Sequence, residues 1–250
     1  MAAQPDVVPA LLAALLAQDP SRPLVTWVDL DSGARVELSV ATVANWVAKT
    51  GGLLQDDLEV SAGDRVALAL PVHWQAITWA LGCWSVGAVV QCSDEVGPPD
   101  LEVHGDDRGA RTDAPGVVVG LAPFGGPARP GSVVGSAVDA GALVLGHPDE
   151  LLAFDPPTAS SPALVGANGV VLDHAAVLAA AAELADRIGL ELGARLLTAT
   201  PPTTVDGLLE TALVPLVTGG SVVQLVGAAK PDAVARLAEE EQVDLVRVTA

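Results

Sequence analysis

The last third of the chain constrains the fold most. "ARLLTATPP" (194–202), "VDGLLETALVPLVTGG" (205–220), "SVVQLV" (221–226) and "KPDAVARLAEEEQVDLVRVTA" (230–250) alternate short apolar runs with helix-length patterns. Short apolar runs joined by helical connections read as parallel strands linked by crossovers, because parallel neighbours cannot be joined by a tight turn. The same order appears earlier, in "GDRVALALP" (63–71), "HWQAITWALGCWSVGA" (73–88) and "VVQCS" (89–93). The class is therefore α/β, a mostly parallel sheet flanked by helices.

An N-terminal β-hairpin precedes this pattern. Residues 24–30 alternate, Asp31-Ser32-Gly33 turns, and 35–38 return. Residues 40–54 read as a helix with Val43, Trp46 and Val47 on one face and Gly51-Gly52 near its end. Residues 94–135 are rich in Gly, Pro and Asp, with apolar islands at 101–103 and 117–119, and predict short strands and exposed loops. Order returns at "ALVLG" (142–146) and "ALVG" (163–166), and a long helix runs from about Asp173, its cap or first-turn acid, to Ile188. The whole chain, 1–250, reads as one domain, divisible into subdomains 1–150 and 151–250.

Charge narrows the partners. The net charge is −19, from 31 acids against 12 Lys plus Arg, and aromatic content is 3% with no Tyr. So acidic a surface repels nucleic acid and anionic lipid, and base-stacking side chains are scarce. The uncharged stretch 66–93 is long enough to cross a bilayer, but Pro71, His73, Gln75 and several glycines interrupt it, and strand–helix–strand fits better. Residues 7–17 read as a surface-docked amphipathic helix and not a signal peptide. Cys83 and Cys92 form no C-x-x-C and the four histidines are scattered, so no metal site is expected. Two reduced structural thiols fit a cytoplasmic protein. Trp74, Trp79 and Trp84 fall near helical spacing and read as core. Asp56-Asp57 and Asp106-Asp107 read as loop acids, and Glu239-Glu240-Glu241 as a solvated face.

"SSPALVGANGVVLDH" (160–174) has the layout of a phosphate site: an apolar strand, a glycine turn at Gly166–Gly169, then a helix. The turn lacks Lys, Ser and Thr. Gly166, Asn168 and Gly169 are the candidate cofactor-binding residues, at a vestigial phosphate-loop position; the turn is expected to be a tight β–α connection.

The order of segments resembles the N-terminal region of the adenylate-forming, AMP-binding acyl-CoA synthetase superfamily. The resemblance is carried by "PLVTWVDLDSGARVELSVATVANWVAKTGGLL", "VSAGDRVALALPVHWQAITWALGCWSVGAVVQ", "GVVLDHAAVLAAAAEL", "DGLLETALVPLVTGGSVVQL" and "PDAVARLAEEEQVDLVRVTA". It looks most like a group of short bacterial relatives of these enzymes. The resemblance implies an AMP-binding-like fold, and the departures from it bear on activity. The family's Thr/Ser/Gly-rich loop with its lysine is reduced here to Gly166, Ala167 and Asn168, with Asn168 where the lysine would fall. Thr204 stands where the family's Pro-x-x-His pattern has histidine, and His174 matches the histidine after the loop; both are candidate substrate-pocket residues. The family's later nucleotide motifs and catalytic lysine have no counterpart, and neither Lys49 nor Lys230 sits in a matching context.

Two readings follow. In the first, a pseudoenzyme without adenylation activity, catalytic residues or expected cofactor acts as a binding or interaction module. In the second, the chain is an acyl-CoA ligase-type enzyme completed by a second chain, or a residual binder of ATP, AMP, CoA or acyl ligands. The final strand predicts an unpaired edge at Leu245, Val246 and Val248, to be covered by the N-terminal helix, a partner protein or a homodimer mate.

Overall fold

The computed structural model describes residues 5–92, 96–110, 112–167 and 169–248. Helix α1 (Val8–Gln18) is followed by the hairpin β1 (Pro23–Asp29) and β2 (Arg35–Ser39), then α2 (Val40–Gly52). Strands β3 (Arg65–Ala69) and β4 (Val89–Gln91) flank α3 (Trp74–Ser85). The glycine-rich middle supplies β5 (Leu101–Gly105), β6 (Gly116–Val119), β7 (Val138–Asp139) and the short α4 (Ala140–Leu143). Then come β8 (Pro162–Val165), β9 (Val171–Asp173) and α5 (His174–Ile188). The chain closes with β10 (Arg195–Thr198), α6 (Val205–Leu208), α7 (Val214–Thr218), β11 (Ser221–Val226), α8 (Pro231–Glu240) and β12 (Leu245–Arg247).

The strands form two sheets. One has five strands in the order β12-β10-β11-β1-β2, the other seven in the order β7-β6-β5-β3-β4-β8-β9. All pairings are parallel except β1–β2 and β8–β9. The N-terminal hairpin thus joins the C-terminal strands, while β8 and β9 join the central ones. A cut at residue 150 separates neither sheet from the other.

Helices α1, α2, α3, α5 and α7 pack against one another and against strands of both sheets, so they lie between the two. The main core gathers there: Trp27, Leu196 and Val222 from the small sheet; Val66, Leu68, Val90 and Leu164 from the large one; Trp74, Trp79 and Trp84 from α3. The tryptophans are core residues, as their spacing predicts. Trp84 Nε1 donates to Ala163 O at 2.7 Å, tying α3 to β8. A fully buried indole truncated to alanine costs about 3–5 kcal/mol. On the small sheet's other face Val28, Leu197, Val223 and Leu225 pack under Leu237 of α8.

Helix α1 buries Val8, Leu11, Leu12 and Leu15 against α2, α3 and α7. It does not cover β12, which is the edge of its sheet and leaves Val246 exposed. Strands do occupy 101–105 and 116–119, but they are buried inside the sheet. Residues 140–146 are helical turns.

Two helical segments carry π-helical turns. Gly51-Gly52 are the last residues of α2, near the predicted helix end, and a π-helical turn follows at Leu53–Asp57. A Cβ on Gly51 would lie 2.5 Å from Leu151 Cδ2, and one on Gly52 would lie 2.9 Å from His147 Nδ1. These glycines admit the 147–151 segment to the helix surface. Likewise 205–218 is not a regular helix: a π-helical turn at Leu209–Leu213 precedes Pro215. Proline has no amide to donate and crowds the carbonyl four residues back, so the helix widens there.

Candidate functional site

The glycine turn is a hairpin tip and not the entrance to a helix. Strand β8 turns back antiparallel into β9, with Val165 opposite Val171. Gly169, at φ +72°, donates its amide to Gly166 O at 2.9 Å, and the Gly166 amide reaches Val170 O at 3.3 Å. Asn168 lies outside the described residues. A three-residue strand therefore separates the turn from α5, correcting the expected strand–turn–helix layout.

The start of α5 is also occupied. Its first amides donate to Ser161 O from His174 (3.1 Å), to Ala159 O from Ala175 (3.0 Å) and to Asp173 Oδ1 from Ala176 (2.8 Å). Asp173 is the N-cap, as expected from the sequence. An anion at a helix N-terminus needs free N–H groups, and these three are bonded within the chain. An open cleft of about 520 Å³ lies beside the turn, lined by Val89, Val165, Gly169 and Val171. The guanidinium on its wall, Arg65, donates to Val96 O (3.1 Å) and Pro98 O (2.8 Å).

His174 and Thr204 do not form one pocket. His174 is fully buried beneath α1, and its Nδ1 accepts from Val8 N at 3.4 Å. Burial lowers its pKa to about 4, with Asp173 opposing the shift, so the ring is neutral near neutrality. Thr204 is the N-cap of α6, accepting from Gly207 N at 3.0 Å. Lys49 is held by His147 O and Asp149, away from the turn, and Lys230 precedes α8.

A different set of residues converges at the carboxyl end of β10. The chain leaves β10 through α6 and α7 to β11 on one side, then returns through α8 to β12 on the other. Strand order reverses there, and such switch points open crevices at strand carboxyl ends. Arg247, Thr198, Gln224 and Trp27 form one row across the sheet. The π-helical turn faces Glu210 onto this row. Its carboxylate accepts from Thr198 Oγ1 (2.5 Å), Thr200 Oγ1 (2.9 Å) and Arg247 Nε (3.0 Å). With three donors, one of them cationic, Glu210 is a satisfied acceptor. Gln224 differs: it is wholly buried, and neither Oε1 nor Nε2 has a partner among the described residues. An unpaired buried amide is costly, and water or a ligand group can satisfy it. The sequence signal for these residues was faint: Gln224 inside "SVVQLV" and Glu210 inside "LLETALV".

The acidic run at 239–241 divides. Glu239 and Glu240 are exposed, but Glu241 is buried. It takes Arg35 through Nε (2.6 Å) and Nη2 (3.0 Å), and Arg195 through Nη2 (2.7 Å). Arg195 also donates to Thr26 Oγ1 at 2.8 Å. The Arg35 and Arg195 guanidiniums hold the Glu241 carboxyl below its ordinary range, against its burial. This network pins α8 to the sheet. Asp56 and Asp57 flank His147, with Asp57 Oδ2 3.1 Å from Nε2, and Asp106 receives the amides of Leu121 and Arg129. These acids hold loops in place. Cys83 and Cys92 are free thiols whose pKa values burial raises, that of Cys92 to about 12. Among the described residues no cluster of His, Cys, Asp and Glu could hold a metal, and no helix is long and apolar enough to cross a membrane.

A protein of Mycobacterium tuberculosis strain H37Rv, named only as a TIGR03089 family protein, is 36% identical over 236 residues, covering 89% of each chain. The chain belongs to the TIGR03089 family. No protein-family model matches it. Its fold is that of the adenylate-forming enzymes, over about half of their chains. An acyl-CoA synthetase of Brucella canis superimposes with a TM-score of 0.75 at 19% identity, over 96% of this chain and 50% of that one. An R395G mutant of coronafacic acid ligase from Pectobacterium brasiliense gives 0.74 at 12% identity, over 97% and 50%. This TIGR03089 chain thus spans about half the length of the solved enzymes it matches.

Proposed function

We propose that this TIGR03089 chain is a non-adenylating relative of the adenylate-forming enzymes, acting as a binding or interaction module. One observation carries the reading: the amides of Gly166 and Gly169 and the first three of α5 are all bonded within the chain. Phosphate-loop chemistry needs backbone donors and a cation converging on the triphosphate. Here those five amides are spent, the cleft's guanidinium serves carbonyls, and the net charge is −19.

A second reading, an acyl-CoA ligase-type function completed by another chain, draws support from the unpaired Gln224 at the switch point. Self-association draws support from β12, whose outer edge is open and carries exposed Val246. The free thiols agree with the cytoplasm.

A thermal-shift series with MgATP, AMP, CoA and an acyl-CoA tests the module reading, since a ligand of the native state raises the midpoint. No shift with any nucleotide is expected. A saturable rise with MgATP would overturn the reading.

A further inference from the structure

A separate cavity of about 240 Å³ lies between α2, α3, the 124–126 turn and α4, remote in sequence from the glycine turn and the switch point. Trp46, Trp79, Phe124, Val144 and Leu145 supply its apolar wall, and Thr50, Gln75 and Thr78 its polar groups. No ionisable side chain lines it. An apolar cavity of roughly 150 Å³ is enough for benzene, so this one has room for a substituted ring.

The walls are pinned. Asp139 accepts from Gly141 N at 3.0 Å and from Ala128 N at 3.1 Å, joining α4 to the segment opposite. A Cβ on Gly141 would fall 1.9 Å from Gly126 O, so only glycine permits that approach. Asp106 fixes the same loop through the amides of Leu121 (3.3 Å) and Arg129 (2.9 Å). The glycines and acids of the middle segment, which read as loop composition, build this enclosure.

The polar groups of the wall are not all used. The indoles of Trp27, Trp74 and Trp84 each donate to a backbone carbonyl. The indole N–H of Trp79, the Thr50 hydroxyl and Gln75 Oε1 make no hydrogen bond among the described residues, and none of the three atoms is sealed from water. Gln75 spends its Nε2 on Gly120 O at 2.8 Å, which fixes the amide and leaves the oxygen as an acceptor. Phe124 and Leu145 stand exposed at the mouth, at 78% and 63%. Polar groups open to a cavity can bond water or a ligand there, and a mainly apolar cavity with a few fixed polar groups is the usual form of a small-molecule site.

We propose that this cavity binds a small uncharged aromatic molecule bearing one hydroxyl or amino group. The ring stacks among Trp46, Trp79 and Phe124, and its polar group meets Gln75 Oε1, the Thr50 hydroxyl and the Trp79 N–H. Carboxylates, phosphates and CoA thioesters are excluded, because entering an uncharged, largely apolar cavity would strip their charge of water. The site is independent of the proposed loss of adenylation.

The test is a titration of the full chain with phenol, followed by the indole N–H resonances of its five tryptophans. Saturable shifts of Trp46 and Trp79, with Trp84 unmoved and benzoate inert, are expected. Val144→Phe fills the cavity and should weaken phenol binding by at least about tenfold, or 1.4 kcal/mol. If that variant does not fold, Thr50→Val replaces it and should weaken phenol relative to toluene. No saturable shift at Trp46 and Trp79, equal binding of benzoate, or undiminished phenol binding by the folded variant would overturn the proposal.

Discussion

Replacing Glu241 by glutamine should cost this protein about 2–3 kcal/mol of stability. Removing one partner of a buried ion pair costs roughly 3–5 kcal/mol. The Glu241 side chain is 7% exposed and that of Arg195 14%, whereas Arg35 is 45% exposed and retains Glu37 at 2.6 Å. Solvent and Glu37 therefore compensate part of the loss. For a chain of this size about 2–4 °C of melting temperature corresponds to each kcal/mol, so a fall of roughly 4–12 °C is expected. Glu239→Gln and Glu240→Gln remove the same charge from exposed neighbours and should stay within about 0.5 kcal/mol. The pH dependence has a definite sign. The folded pKa of Glu241 is lowered from 4.5, so its contribution is present above pH 4.5 and is lost as pH falls through the folded value. The gap between wild type and Glu241→Gln should close there. Urea midpoints of the three variants decide the matter; if Glu241→Gln matches Glu239→Gln, the network contributes nothing and the reasoning fails.

Three further outcomes are expected. Gly52→Ala should destabilise by about 1–3 kcal/mol in urea unfolding, because the new Cβ meets the His147 ring; open space at this helical position would instead allow a gain near 1 kcal/mol. His174 has a folded pKa of about 4 against an ordinary 6.5, so stability should be full above pH 6.5 and fall towards pH 4, by on the order of 3 kcal/mol. His174→Phe should flatten that slope in denaturant midpoints taken across the interval. Val246→Asp, on the open edge of β12, should shift sedimentation from dimer towards monomer, and a wild type that sediments as a monomer would refute self-association through that edge.

Much of the architecture was legible because it rests on local periodicity. The crossover units around α3, α7 and α8, the N-terminal hairpin and the Asp173 cap all arise from residues near one another in sequence. What escaped depends on distant partners. Glu241 looks like its exposed neighbours until Arg35, 206 positions away, folds against it. Gly51 and Gly52 sit at the end of α2 as their pattern suggests, but the approach of Leu151 and His147 to them has no local signal. Strand β9 is three residues long and pairs only through a hairpin, so its pattern is too short to register. The switch-point group joins Thr198, Glu210, Gln224 and Arg247 from four elements, and no spacing announces that. The absence of lysine and hydroxyls from the glycine turn was visible in composition, but its hairpin geometry was not.

Pyrophosphate release tests the proposed absence of adenylation most directly. The full chain would be mixed with MgATP and a panel of short, medium, long and aromatic carboxylic acids, with heat-killed protein as control. The amides committed within the 166–169 turn and at the start of α5 predict release no greater than the control for every acid. Acid-dependent release above the control would contradict the account.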